Sequence, residues 1–451
     1  MSKIYDLPLY FNLVRRYVVF CFKRYYGEII VIGKENIPAD SPVIFAPNHT
    51  NALMDAIAVH AVVPYSLPLI FLARADIFRN KTAARFLRYA KIMPAFRMRD
   101  GIENLGKNSE IFDMCVEILD NNNALGIMPE GNQEVESKLR PLVKGIFRIA
   151  FAAQQKHGIN PAVKIVPVGL DFGDIIKSNK HIIIQIGKPI EVSDYMELYS
   201  GNPVLATNAI KDKLRTDLID LSLNLDSKEN YECFESAVRI VEKAMLDDLK
   251  LADNTLNRFK ARQKIAEKLI NIENENTDII LKINALCIDL EKEMVHLGLK
   301  PVALELKESS LMAIILEGLF QLLLTPVFVT GFLLNFLPFF SPVYLRKNVF
   351  KAEFTGFFSS LQFGLGIIAF PVFYAIQTLL FGLISGFSGL WIAAFFFAQF
   401  PLGKFSLLIY KRFRKWLGKV RYKTFSKHNY KNLKNVINLR TQIVNLVLGK
   451  I

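Results

Sequence analysis

The stretch Pro47-Asn48-His49-Thr50-Asn51-Ala52-Leu53-Met54-Asp55 sets an imidazole and a carboxylate six positions apart, between an apolar run and a helical pattern. A histidine at such a strand-to-helix joint can take a proton from an alcohol at neutral pH. A nearby carboxylate can fix its tautomer and support its cation. An alcohol freed of its proton attacks a thioester directly, with no Ser or Cys nucleophile. The spacing imposes a condition, because six positions on an unbroken helix amount to about 240° of rotation and the side chains would diverge. His49 and Asp55 can meet only if His49 lies in the turn before the helix, or if a bulge absorbs a residue. Thr50 or Asn51 could cap that helix.

Three further blocks carry polar chemistry on apolar frames. Ile92-Met93-Pro94-Ala95-Phe96-Arg97 ends in a cation, with Arg99 two residues on; guanidinium groups there suit bidentate phosphate binding. Leu125-Gly126-Ile127-Met128-Pro129-Glu130-Gly131-Asn132 runs a buried-type strand into a turn. Its carboxylate, Glu130, can accept hydrogen bonds from a polyol, and Gly131 permits close approach of backbone to ligand. Ile165-Val166-Pro167-Val168-Gly169 is the third, and Arg140-Pro141-Leu142-Val143-Lys144-Gly145 before it adds two cations.

The elements that must position these groups are legible in the periodicity. Strands are expected at Ile29–Ile32, Val43–Ala46, Leu69–Ala73, Leu125–Met128, Val163–Val168 and Ile182–Ile186, with helices near 52–62, 80–90, 106–120 and 144–157. Strands alternating with helices argue for an α/β domain.

In this order and at these separations, the four blocks resemble the PlsC-type glycerolipid acyltransferases, the glycerol-3-phosphate and lysophosphatidic acid acyltransferases. The resemblance covers about residues 28–200. It implies His49 as general base with Asp55 as its partner, Arg97 on the acceptor phosphate, and Glu130 with Gly131 in acceptor binding. It also implies an acyl-CoA or acyl-carrier-protein donor. Two departures stand out. The family usually has four residues between His and Asp where this chain has five, a longer spacing shared by a branch resembling the yeast glycerol-3-phosphate/dihydroxyacetone-phosphate acyltransferases, as is Asn51. The third block usually continues Thr-Arg-Ser, whereas here it reads Asn132-Gln133-Glu134, so Arg97, Arg99, Arg140 or Lys144 must supply the phosphate charge.

Composition sets this chemistry beside a membrane. The chain has 451 residues, 51% of them hydrophobic, with 36 Phe. No charged residue occurs from Gly318 to Leu345 or from Phe354 to Gly403. The second stretch allows two spans with a turn at Ser385–Gly389. Thirteen of the 14 net positive charges fall in Lys404–Ile451, where no acid occurs. A basic stretch after an apolar region reads as a cytoplasmic membrane flank, not as a nucleic-acid surface. If both flanks and the catalytic domain are cytoplasmic, Met312–Tyr344 should form a re-entrant or shallow hairpin, interrupted by Pro326, Pro338 and Pro342. The domains expected are 1–27, an interfacial amphipathic segment; 28–200, the catalytic α/β domain; 201–310, a helical module; 311–410, membrane hairpins; and 411–451, a basic cytoplasmic tail.

The four cysteines are scattered and read as free thiols, and the N-terminus lacks a signal-peptide profile. The remaining histidines read as structural or solvent-exposed. With no phosphate-cradling Gly-rich loop and no metal-ligand set, no bound cofactor or metal is expected. The acceptor is expected to be glycerol 3-phosphate or dihydroxyacetone phosphate, with lysophosphatidate second. A lipid transporter and a degenerate acyltransferase-like scaffold are the non-enzyme alternatives; side chains of His49 and Asp55 more than ~8 Å apart would favour the scaffold.

Overall fold

The computed structural model describes residues 4–79, 81–95, 105–158, 161–298, 310–428 and 430–450. The chain forms two units, Met1–Asn224 with Ala352–Phe363, and Leu225–Lys351 with Gly364–Ile451.

In the first unit, helix α1 (Leu9–Tyr25) leads into β1 (Glu28–Ile32) and β2 (Val43–Pro47). There follow α2 (Leu53–Val62), β3 (Leu69–Arg74), α3 (Lys81–Tyr89), β4 (Ile92–Ala95), α4 (Leu105–Asp120) and β5 (Ala124–Gly126). Next come α5 (Gly145–His157), β6 (Lys164–Phe172), β7 (His181–Ile186), β8 (Ile190–Glu191), α6 (Met196–Gly201) and α7 (Pro203–Leu221). The strands form one mixed sheet in the order β1-β7-β6-β2-β5-β3-β4, with β8 also on β6. The pairings of β6 with β7 and β8 are antiparallel and the others parallel. β2 is buried along its whole length, as its unbroken apolar run requires in the middle of a covered sheet. β4, absent from the sequence reading, lies at the sheet edge, where Pro94 costs no ladder hydrogen bond.

The expected boundary at residue 200 moves to 224. Ala206, Ile210, Leu214 and Leu218 recur every four residues along α7 and are buried in the same core as Ile44, Ile70 and Phe147. The N-terminal segment is likewise part of this unit. α1 buries Phe11, Val19 and Phe22 and leaves Leu9, Tyr10, Leu13, Val14, Tyr17 and Phe20 exposed. Arg15 is buried, and its guanidinium donates to the carbonyls of His60, Val63 and Pro64 at 3.2, 2.9 and 3.2 Å. A cation therefore caps the C-terminal end of α2, where the helix dipole favours it.

The second unit contains α8 (Tyr231–Asp248), α9 (Thr255–Glu275), α10 (Thr277–His296), α11 (Leu311–Asn348) and α12 (Phe358–Ser385, its first residues in the first unit). It ends with α13 (Gly389–His428) and α14 (Tyr430–Leu448). Among the described residues, three helical stretches are long and apolar enough to cross a membrane: Leu311–Asn348, Thr355–Ser385 and Gly389–Thr424. The re-entrant hairpin expected at Met312–Tyr344 is thus corrected to one continuous helix. Its prolines survive because neighbouring helices satisfy freed carbonyls. Pro338 cannot bond the carbonyl of Leu334, which instead accepts from Gln377 Nε2 at 3.0 Å. Within the stretch expected as a basic tail, α14 buries Leu433, Val436, Ile443 and Val447 and packs against α8 and α10. Glu317 pairs with Lys419 at 2.7 Å.

α11 and α13 approach closely through small residues, as lipid-facing helices do when packing replaces the hydrophobic effect. A Cβ on Gly331 would lie 2.3 Å from the carbonyl oxygen of Leu402, and one on Gly403 would lie 2.5 Å from Asn335. Gly331→Val should therefore force the two helices apart at a cost of about 1–3 kcal/mol, seen as a lower melting temperature in detergent.

Candidate active site

The chain leaves β2 at Pro47, and Asn48 extends the pairing with β6 by its side chain. Its Oδ1 accepts the Leu170 N–H at 2.7 Å and its Nδ2 donates to the Leu170 carbonyl at 3.1 Å. His49 follows directly, before the helix, so the spacing condition is met by the first of the two routes. Met54 N–H donates to the Asn51 carbonyl at 2.9 Å, closing a turn whose second residue, Ala52, has φ 46° and ψ −120°. That conformation is the one a type II′ turn requires, and glycine adopts it far more readily than alanine. α2 begins at Leu53 with Ala52 as N-cap and no capping side chain from the turn, so neither Thr50 nor Asn51 takes the expected capping role.

His49 Nδ1 lies 2.8 Å from Asp55 Oδ2, which also accepts the Asn51 N–H at 2.8 Å. A carboxylate only accepts, so Nδ1 carries the hydrogen and Nε2 keeps its lone pair for a substrate proton. The wide separation expected of a degenerate scaffold is not found. Asp55 is fully buried while His49 keeps part of its ring exposed. Burial pushes the Asp55 carboxyl above the ordinary carboxylate range, and the His49 contact and the Asn51 and Thr50 N–H groups pull it back down.

Glu130 sits on the other side of the imidazole's backbone. Its Oε1 accepts the His49 N–H at 2.8 Å, and its Oε2 accepts the Arg140 N–H at 3.0 Å and Arg140 Nε at 3.1 Å. Arg140 Nη2 donates to the carbonyl of His49 at 3.2 Å and also to that of Asn132. Glu130 and Arg140, expected at the acceptor, thus clamp both backbone polar groups of His49. Arg140 Nη1 pairs with Glu134 at 3.2 Å, which neutralises more of its charge. Gly131 has φ 64°, and a Cβ there would meet Val143 at 2.9 Å, so its need for glycine comes from its own turn. Lys144 is exposed at the N-cap of α5. Arg97 and Arg99 lie outside the described residues.

Sequence reasoning missed Asn48, whose signal is weak because an Asn after a strand usually means a turn. It also missed Lys138, which with Ser137 and Asp171 lines a polar cleft beside Asn48, Thr50 and Glu130. Among the described residues no cluster of three His, Cys, Asp or Glu side chains could hold a metal. The four cysteines are free; burial pushes Cys115 and Cys287 up to about 12 and Cys233 to about 11, which makes them poor nucleophiles.

The acyltransferase family model matches residues 28–171. The chain is 29% identical over 192 residues to the 1-acyl-sn-glycerol-3-phosphate acyltransferase of Bacillus subtilis (strain 168), covering 42% of this chain and 87% of that protein. It is 32% identical over 107 residues to glycerol-3-phosphate O-acyltransferase 1 of Saccharomyces cerevisiae, a match spanning 24% of this chain and 14% of the yeast protein. The crystal structure of the 1-acyl-sn-glycerophosphate (LPA) acyltransferase PlsC from Thermotoga maritima aligns with TM-score 0.34 at 18% identity, over 47% of this chain and 79% of that one.

Asp55→Asn separates the carboxylate's catalytic role from its stability cost. An amide oxygen in place of Oδ2 would still accept from Nδ1 and from the Asn51 N–H but would carry no charge to support the imidazolium, so kcat should fall by up to the roughly 10²–10⁴-fold that general base catalysis supplies. Because the folded carboxyl is raised, the folded protein holds its proton more tightly than the unfolded chain. Stability is therefore lost as pH climbs from the ordinary carboxylate range to the raised value. The amide escapes it, so the melting temperature at pH 7 should stay level or rise while activity disappears.

Proposed function

We infer, for a chain that carries a PlsC-type acyltransferase domain over residues 28–171, that it acylates a hydroxyl of a glycerol-phosphate acceptor at a membrane surface. The observation that carries the reading is the 2.8 Å contact of His49 Nδ1 with Asp55 Oδ2, which leaves Nε2 as proton acceptor. Nε2 takes the acceptor's hydroxyl proton as the oxygen attacks the thioester carbonyl carbon. The C–O bond forms, the C–S bond breaks, and the departing sulfur collects the proton from the imidazolium. The ester product remains in or enters the bilayer. Water exclusion and positioning then supply the remaining rate enhancement.

Acyl-CoA or acyl carrier protein serves as donor in this reading, and no resident cofactor is required. Arg97, Arg99 and Lys144 meet the acceptor phosphate, since the charge of Arg140 is committed to Glu130 and Glu134. The catalytic face is cytoplasmic, with the exposed apolar face of α1 in the interface. Glycerol 3-phosphate or dihydroxyacetone phosphate is the first-ranked acceptor. Lysophosphatidate is the second, favoured by the match that spans 87% of the Bacillus relative.

Labelled acyl-CoA or acyl carrier protein, offered with each acceptor in parallel to the purified full chain, decides among them. One acceptor should be acylated at a rate far above the others, and His49→Ala should remove at least a roughly 10²–10⁴-fold contribution of general base catalysis. Well-folded His49→Ala protein that acylates at the wild-type rate would overturn the reading.

A further inference from the structure

The turn that carries the catalytic pair is not self-sufficient. Ala52 holds a backbone conformation that alanine rarely adopts, and α2 starts with no cap from its own sequence. What it lacks comes from residues more than 300 positions away, in a segment that belongs to the same unit: Ala352–Phe363. Ser360 Oγ accepts the Leu53 N–H, the first of α2, at 3.2 Å and lies 3.5 Å from the Asn51 carbonyl. Ser359 Oγ donates to Asn51 Oδ1. Asn51 is in turn the residue whose N–H holds Asp55 Oδ2. Ser359, Ser360 and Asn51 are all buried.

The segment is fixed at both sides of the serines. Phe363 stacks edge-on against Tyr25 at 5.6 Å and Phe22 at 6.4 Å. At the other side Gly356 is so close to Gln133 that a Cβ would meet its Nε2 at 2.9 Å. The serines are therefore delivered by a docked strap whose continuation is the apolar helix α12.

We propose that Ser359 and Ser360 are positioning residues for the His49–Asp55 pair, setting the base's geometry through Asn51 and through the first N–H of α2. The proposal rests on the reading of His49 as general base. A carboxylate held at one oxygen by Asn51 N–H shifts with the Asn51 peptide, and the Asn51 peptide is pinned on its side-chain and carbonyl sides by the two hydroxyls. The catalytic turn can reach its working shape only while the start of the membrane helix is seated.

The test is the pair Ser359→Ala/Ser360→Ala in the full-length chain, assayed in detergent beside wild type and His49→Ala. With folded protein titrated, kcat should fall roughly 10–100-fold, the loss expected when a catalytic group is displaced by about an ångström. KM for the acceptor should stay within about twofold, since uniform binding is untouched. The acid limb of the kcat–pH profile should move, because the contact between carboxylate and imidazole is altered. Adding Ala52→Gly should recover part of kcat, since glycine adopts the turn unaided. Wild-type kcat and pH profile in the double variant would overturn the proposal. So would a loss of activity that matches lost folded protein, with the pH profile unchanged and no recovery by Ala52→Gly. Activity surviving in His49→Ala would instead sink the base assignment itself, an outcome the same experiment reads separately.

Discussion

Every feature of the site is organised around one buried carboxylate that must stay ionised. Asp55 has no exposed surface, and burial alone would favour its protonated form. Its charge is kept by hydrogen bonds to one oxygen from His49 and the Asn51 N–H. That arrangement needs the chain to leave β2, turn sharply, and start α2 so that residue 55 faces back toward residue 49. The five-residue spacing is absorbed by a tight turn with a strained alanine, not by a helical bulge. The energy of the strain is met by contacts remote in sequence, from Arg15 at the far end of α2 and from the serines at its start.

The histidine backbone is treated in the same manner. Its N–H and carbonyl are both engaged by the Glu130–Arg140 pair, whose carboxylate is buried and whose guanidinium is half-buried, so it orients more firmly than a surface ion pair. An interaction of this type adds little net stability, because two charges must be desolvated. Its value lies in orientation: the imidazole cannot rock about the strand end without breaking a charge-assisted bond. The altered third block fits this arrangement, because the carbonyl of Asn132 is one of the groups Arg140 bonds.

The α/β frame was legible in the sequence because its strands are continuous apolar runs bounded by Gly and Pro. Val43–Ala46, Leu69–Ala73 and Ile182–Ile186 each match an observed strand to within a residue at either end. The catalytic pair was legible as a type and a spacing, but its meeting depended on the conformation of Ala52, which no propensity predicts. Glu130 and Arg140 were found as acceptor candidates, but their hold on the His49 backbone was not legible. A carboxylate in a Pro-Glu-Gly turn can face a ligand or its own fold, and pattern alone does not distinguish the two. Ser359 and Ser360 carried no signal, since two serines at the edge of an apolar helix look like a boundary. The parity argument at Met312–Tyr344 failed because it let three prolines break a helix, whereas Gln377 supplies the bond Pro338 forgoes.

That failure points to a difference in how the two units hold together. The first unit relies on apolar burial under a sheet, with Ile44, Ile70, Leu125 and Ile165 fully buried, and spends its polar contacts on one turn. Among the apolar helices of the second unit, burial against lipid gives no such preference, so close backbone contact and polar bonds must do the joining. Asn335 illustrates the second rule: it donates to Gly331 and Gln399 carbonyls at 2.9 and 3.1 Å and accepts from the Tyr374 hydroxyl, tying α11, α12 and α13 at one level. Gln399, wholly buried, adds a bond to Thr378 at 2.9 Å. The amide nitrogens of Gln377 and Gln399 thereby serve as helix-to-helix ties.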